Sequence, residues 1–143
     1  MSRFILVALA TGLILNSNGV ADTDAQVAAR SDVLDLAGAF QNDGFKIRDG
    51  NFLGQISKDH SQIVAVNLYS GNAYWFTASA GQKADKLNIS IFDDSGKPVS
   101  YMPYQSGSRA AAGFSPDASG LYYVKVVLEE GQPATFCLIY SYK

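Results

Sequence analysis

The sequence holds few of the residues that most enzymes and metalloproteins depend on. Of its 143 residues, one is a cysteine and one is a histidine. One cysteine cannot form an internal disulfide, and without paired histidines or clustered cysteines a zinc or transition-metal site is not expected. Neither sign of charge dominates, since 11 basic and 13 acidic side chains leave a formal net charge of −2. A nucleic-acid partner is therefore not expected, because phosphate backbones are bound through an excess of basic groups.

The composition that remains is typical of one globular domain. Hydrophobic residues make up 48% of the chain, charged residues 17% and aromatic residues 12%. This is too apolar for intrinsic disorder, and the length is sufficient for one hydrophobic core.

The first 21 residues are predicted to be a secretory signal peptide. Arg3 supplies a positive charge, residues 4–15 form an almost unbroken apolar run, and the small residues Gly19 and Ala21 end the segment. The run is shorter than the roughly 20 residues that a membrane-spanning helix needs. We therefore predict cleavage after Ala21 and a periplasmic or secreted mature protein with no membrane span.

One short helix is predicted after this segment. Apolar residues between positions 24 and 40 recur at helical spacing, namely Val33, Leu36, Ala37 and Phe40. Ser31 or Asp32 is available as the N-cap, and Gly44 as the residue that terminates the helix.

From Phe45 onward the hydrophobic period changes to two, and turn residues recur about every ten residues. The predicted strands are 45–48, 52–57, 64–68, 73–78, 87–91, 98–102, 110–114, 121–128 and 134–142. The strand that contains Pro98 is expected at a sheet edge, because proline has no N–H to donate to a ladder.

These elements predict an all-β fold, a single antiparallel, jelly-roll-like β-sandwich preceded by one short N-terminal helix. Helical crossovers long enough to join parallel strands are missing from the pattern. The expected organisation is a signal peptide over residues 1–21, a helical extension over 22–44 and the sandwich over 45–143.

No catalytic, cofactor or metal motif is recognised, and we predict that the protein is not an enzyme. His60 is interpreted as a solvated loop residue, and the segment from Asp93 to Gly96 as a hairpin turn, since it lacks the alternating acidic ligands of a calcium loop. Cys137 lies in an apolar strand-like run and is interpreted as a small buried hydrophobe. Its alternative is an intermolecular disulfide or a reactive thiol.

Aromatic residues give the first candidate binding surface. Tyr101, Tyr104 and Arg109 lie in a segment that mixes amphipathic rings, small polar residues and a guanidinium, which is typical of recognition surfaces. The alternative is an edge hairpin whose tyrosines only cover the core.

The segments 66–76, 91–96 and 114–126 resemble the bacterial pre-peptidase C-terminal domain. This resemblance implies a secreted β-sandwich that is often appended to proteases, with relatives that bind extracellular polymers or calcium. The arrangement of a signal peptide and one small sandwich is also similar to the periplasmic inhibitors of g-type and i-type lysozymes. That resemblance implies a lysozyme-blocking S-G-x-Y loop at Ser119, Gly120 and Tyr122.

Tyr122 has two interpretations. It is either an exposed contact of such a loop or a core tyrosine that hydrogen-bonds back to the preceding loop, as in a tyrosine corner. We favour a non-catalytic binding module whose partner is an extracellular or periplasmic protein, such as a lysozyme, or a polysaccharide. The alternatives are a structural or assembly component of the bacterial envelope and, less favoured, a hydrolase that uses two carboxylates.

Overall fold

A computed structural model describes residues 23–48, 50–81 and 83–143 of the chain, and the predicted signal peptide over residues 1–21 lies outside these ranges. The described part forms one helix, α1 (Asp24–Gln41), and nine strands. The strands are β1 (Lys46–Ile47), β2 (Phe52–Ile56), β3 (Gln62–Leu68), β4 (Tyr74–Ser79), β5 (Ala84–Phe92), β6 (Met102–Ser106), β7 (Arg109–Phe114), β8 (Gly120–Gly131) and β9 (Ala134–Tyr142). Over these ranges no helix combines the length and the apolar character needed to cross a bilayer.

The strands form two antiparallel sheets. The large sheet has the order β1-β9-β4-β7-β6, and β2 also pairs with β9, on the same side as β1. The small sheet has the order β3-β8-β5. The predicted all-β sandwich with a single preceding helix is confirmed.

The main core lies between the two sheets and follows from the period of two. Along β4 and β9 alternate side chains such as Phe76 and Leu138 point inward, and Ile89 and Val124 of the small sheet meet them. All four side chains are at most 1% exposed.

A second core lies on the outer face of the large sheet, where α1 covers the other side of β4 and β9. It joins the helix residues Ala29, Val33 and Ala37 to Cys137 and Ile139 of β9. Burying a side chain such as Val33 or Ile139 contributes about 1.5–3 kcal/mol relative to leaving it exposed. Strand β9 is therefore buried on both faces, and the prediction that Cys137 is a buried hydrophobe is confirmed.

An aromatic stack and an ion pair also hold α1 on the sheet. Phe40 and Trp75 stack with their centroids 4.3 Å apart at an interplanar angle of 13°. Asp32 accepts hydrogen bonds from the hydroxyl of Ser79 and from the guanidinium of Arg109. These hydrogen bonds outweigh partial burial and lower the pKa of Asp32, so its carboxylate stays charged.

The start of α1 differs from the prediction. Thr23 is the N-cap, and its side chain accepts from the backbone N–H of Gln26, whose side chain accepts in return from the N–H of Thr23. The expected caps Ser31 and Asp32 lie inside the helix, because this capping box starts it two turns earlier. Gly44, with a φ of 89°, lies in the turn that ends the helix.

One predicted strand is wrong. The segment 98–102 was expected to be an edge strand, but Pro98 forms only an isolated bridge with Phe92, and the edge strand β6 begins at Met102. The Asp93 carboxylate accepts from the backbone N–H groups of Ser95 and Lys97, and these bonds fix the preceding loop as a turn.

Strand β6 is a free edge of the large sheet, and all its residues are exposed. The two-residue turn after it makes Ser106 and Arg109 a hydrogen-bonded pair. Such pairs alternate along an antiparallel ladder, so the backbone of Pro103 faces away from β7. The edge consequently lacks the N–H that an added strand would require at this position.

Candidate functional site

A groove opens beside the contact between β2 of the large sheet and β3 of the small sheet. One part, with a volume of about 350 Å³, lies between the β1–β2 connection and β3 and is lined by Asn51, Phe52 and Asn67 among others. An adjoining part of about 210 Å³ is lined by Tyr69, Asn72, Tyr74 and Tyr142. Both parts share Arg48 and Tyr140, and we call the whole the Arg48 groove.

Tyr140 forms the floor of the groove and is only 8% exposed. Its ring lies 5.4 Å from that of Phe76 and 6.3 Å from that of Tyr74, measured between centroids. Burial raises the pKa of the Tyr140 hydroxyl, against an opposing effect of Arg48. The hydroxyl is therefore protonated in ordinary buffers and remains a hydrogen-bond donor.

Arg48 is held to this floor at both of its ends. Its backbone N–H donates to the carbonyl oxygen of Tyr140 over 3.0 Å, which continues the pairing of β1 with β9. Its guanidinium carbon lies 5.4 Å from the centroid of the Tyr140 ring, within the range of a cation–π contact. The side chain of Arg48 is otherwise exposed, and no ion pair is formed between it and a carboxylate of the described residues.

The β3–β4 turn forms the wall of the smaller part. The hydroxyl of Tyr74 accepts from the backbone N–H of Tyr69 over 2.9 Å and from the side-chain amide of Asn72 over 3.2 Å. Its own proton remains available to donate. Tyr69 and Tyr142 are 60% and 38% exposed, so both side chains are accessible to a ligand.

Ser119 and Gly120 are exposed and lie beside this wall. The backbone N–H of Ser70 donates to the Oγ of Ser119 over 2.9 Å, so the loop before β8 supports the β3–β4 turn. Tyr122 is 8% exposed, and its hydroxyl donates to the carbonyl oxygen of Ala118 over 2.7 Å. This geometry is the one expected for a tyrosine corner. A binding role for Ser119, Gly120 and Tyr122 stays a prediction.

The other three predicted binding residues lie toward the opposite edge of the large sheet. Tyr101 is half-buried and packs against the main core, whereas Tyr104 on β6 is 43% exposed. Arg109 pairs with Asp32 of α1, so its guanidinium already has an anionic partner. The structure does not bring these three side chains together with Ser119 and Tyr122.

Two further predictions concern polar turns. His60 is exposed in the turn between β2 and β3, as expected. The carboxylate of Asp93 is occupied by bonds within its own turn, and these bonds, that from the N–H of Lys97 foremost, lower its pKa. Over residues 23–48, 50–81 and 83–143 no group of three or more potential ligands could hold a metal ion.

Sequence reasoning missed Arg48 and Tyr140, the residues that the two parts of the groove share. They come from distant segments, and their contact depends on the register between β1 and β9. The sequence did contain a signal for the wall of the groove. The run from Ser70 to Tyr74 loosely repeats the pattern at 119–122, a serine-glycine turn followed by a tyrosine.

Comparisons with known proteins add a likeness to solved structures. No family model matches the chain, and no curated protein matches it. A solved structure described as "CBM4 structure and function" covers 75% of this chain and 83% of its own, with a TM-score of 0.42 and 20% identity. A likeness at this level does not assign a ligand. The resemblances to the pre-peptidase C-terminal domain and to lysozyme inhibitors therefore rest on the short segments that carry them.

Proposed function

We propose that this chain is a non-catalytic binding module that holds a polysaccharide in the Arg48 groove. The observation that carries the proposal is the composition of the groove. Tyrosine rings line most of its smaller part, Tyr140 and Phe52 lie in its larger part, and amides and a guanidinium lie among them. Ligand sites are typically concave, mostly apolar, and equipped with a few polar groups that orient the ligand.

A sugar ring matches this composition because it has an apolar C–H face and an edge of hydroxyl groups. The exposed rings of Tyr69 and Tyr142 offer flat apolar surface for the C–H face. The amides of Asn51, Asn67 and Asn72 offer both donors and acceptors for the hydroxyls.

Binding rather than hydrolysis fits the chemistry of the lining. A carboxylate-based glycoside hydrolase requires two acids that flank the scissile bond. The described residues that line the groove include neither aspartate nor glutamate. Among the described residues, a ligand held there meets rings, amides and a guanidinium, none of which is a general acid for a glycosidic bond.

The test is binding of soluble polysaccharides by affinity electrophoresis, followed by titration calorimetry on each polymer that retards the protein. Tyr69→Ala and Tyr142→Ala should each weaken binding about tenfold, as expected when an aromatic contact of more than about 1 kcal/mol is removed. Tyr104→Ala is the matched control, because this tyrosine is also exposed but lies on β6. Equal losses in all three variants, or no binding across a broad panel, would contradict the proposal.

A second candidate function is lysozyme inhibition, which is favoured by the exposure of Ser119 and Gly120 at the end of the sandwich. Lytic activity of c-, g- and i-type lysozymes should then fall as residues 22–143 are added, and the inhibition should saturate near one-to-one stoichiometry. Tyr122→Ala is a poor test, because losing a buried ring costs about 3–5 kcal/mol of stability. Ser119→Ala, with the exposed Ser115→Ala as control, tests the loop without removing core.

A further inference from the structure

We propose that the polysaccharide bound in the Arg48 groove is acidic, and that its carboxylate or sulfate groups pair with the guanidinium of Arg48. This inference rests on the proposed function and adds the chemical class of the ligand. It follows from how Arg48 is held, from the charges around it and from the groups beside it.

Arg48 is positioned before any ligand arrives. The 3.0 Å backbone hydrogen bond to Tyr140 fixes the start of the side chain, and the cation–π contact with the same residue places its end. The cation–π contact uses a face of the planar guanidinium. One N–H also interacts with the Tyr140 hydroxyl, and the remaining N–H groups stay available for a ligand. Those groups match the two oxygens of a carboxylate, or two of those of a sulfate, in a forked pair.

Among the described residues, the groove carries positive charge and no negative charge. The described lining residues of both parts contain Arg48 and no acidic side chain. The guanidinium of Arg109 is paired with Asp32. That of Arg48 forms no ion pair with a carboxylate of the described residues. A bound anionic group would give the guanidinium an ion-pair partner. The formal net charge of −2 opposes binding of polyanions to the surface in general, so binding should be confined to this place.

Two hydroxyls add donors on the same side. Tyr74 accepts two hydrogen bonds from its own turn and keeps its proton free, and Tyr140 remains protonated. The protonated Tyr140 hydroxyl carries no negative charge that would repel the ligand. A carboxylate or sulfate beside Arg48 therefore meets donors, while the sugar ring that bears it meets the face of Tyr69 or Tyr142.

The experiment compares charged and neutral forms of the same backbone. Affinity electrophoresis and calorimetry are run with polygalacturonate against its methyl ester, and with dextran sulfate against dextran. The wild-type chain should bind one charged polymer at least about tenfold more tightly than its neutral counterpart, which is the magnitude expected for a charge-assisted hydrogen-bonded pair. The charged polymer that is preferred identifies a carboxylate or a sulfate. Carboxylate binding should also weaken in acid, whereas sulfate binding should not.

Variants locate the preference. Arg48→Gln should bring the ratio of charged to neutral affinity close to one, and Arg48→Lys should retain part of it because lysine keeps the charge but loses the fork. Lys58→Gln removes an exposed cation in the β2–β3 turn, at the far end of β2 from the groove, and should leave the ratio unchanged. Urea unfolding of each variant checks that the fold is intact.

Equal binding of charged and neutral polymers would overturn this inference and leave the proposed function standing. A preference that survives in Arg48→Gln would overturn it as well, because the anion would then be recognised elsewhere. Binding of none of the four polymers would contradict an acidic ligand, and the broad polysaccharide panel would then decide the proposed function separately.

Discussion

The backbone N–H of Ser70 donates to the side chain of Ser119, and this 2.9 Å bond joins two turns that are 49 residues apart in sequence. Each turn is followed by a tyrosine whose hydroxyl returns to it, Tyr74 in one case and Tyr122 in the other. The pair of turns forms one end of the sandwich beside the smaller part of the groove. Local turn chemistry therefore positions side chains that a ligand would meet.

Removing the Tyr122 hydroxyl should affect stability without affecting ligand binding. Tyr122→Phe loses the 2.7 Å hydrogen bond to Ala118 and should cost about 1 kcal/mol, measured by urea unfolding. Tyr123→Phe is the control, since Tyr123 points to the outer face of the small sheet. If Tyr122→Phe binds polysaccharide more weakly under conditions where the variant is fully folded, the Tyr122 hydroxyl contacts the ligand.

The ion pair between α1 and the sheet predicts a dependence of stability on pH. The pKa of Asp32 is lowered from its usual 3.8, mainly by the hydrogen bond from Arg109, so its stabilisation is complete above that value and is lost in more acidic solution. Asp32→Asn should reduce the free energy of unfolding by about 1 kcal/mol at neutral pH, a modest value because both side chains are partly exposed. The difference from wild type should shrink as the pH falls below 3.8 toward the folded pKa. A difference that is constant through this range would contradict the assignment, and Asp59→Asn in an exposed turn serves as control.

Two glycines should respond oppositely to alanine. A Cβ at Gly113 would lie 2.9 Å from two atoms of the Trp75 ring, which stacks on Phe40, so Gly113→Ala should displace the ring and cost about 1–3 kcal/mol. A Cβ at Gly38 in α1 meets nothing within 4 Å, so Gly38→Ala should stabilise by about 0.5–1 kcal/mol through helix propensity. Thermal unfolding measures both. A stabilising Gly113→Ala would mean that the tryptophan ring does not need this space.

The free edge at β6 bears on the alternative that the protein is an assembly component of the bacterial envelope. Pro103 faces outward and withholds a donor, so the wild-type chain should show no association through this edge. Pro103→Thr restores the N–H and should lower the concentration at which the protein self-associates, as measured by analytical ultracentrifugation. Ser106→Thr changes a residue whose backbone already bonds to β7 and is the control. Wild-type oligomers that dissociate on substitution of Tyr104 or Met102 would instead favour an assembly role.

Much of the fold could be predicted from the sequence, because alternation of apolar residues is a local property. The strands predicted at 64–68 and 134–142 turn every second residue toward the main core; the second has the predicted bounds, and the first begins two residues earlier, at Gln62. Strand β6 is exposed along its length, so no hydrophobic period marks it, and its position depends on the hairpin after it. The signal for the true N-cap, Thr23 followed by Gln26, was present but outweighed by more central serine and aspartate residues.

The groove could not be predicted in the same way. Arg48 and Tyr140 are brought together by pairing between strands from the two ends of the sandwich sequence, and neither residue has a local pattern that marks it. Arg109 shows the opposite case. Its neighbours in sequence predicted a binding role, but its guanidinium forms an ion pair with Asp32 of the helix. Side-chain chemistry is readable from sequence, but the partner of each side chain is decided by topology.

The position of β9 has a consequence for the order in which the chain can fold as it is made. This strand is the last of the nine to leave the ribosome, yet it is the strand that joins β1 and β2 to β4. Until residues 134–142 emerge, β1 and β2 have no partner in the large sheet, β4 lacks one of its two neighbours, and α1 lacks the part of its docking surface that β9 provides. The chain should therefore remain unfolded through most of its synthesis and close in one late step, slowed by the long-range pairing that this step requires.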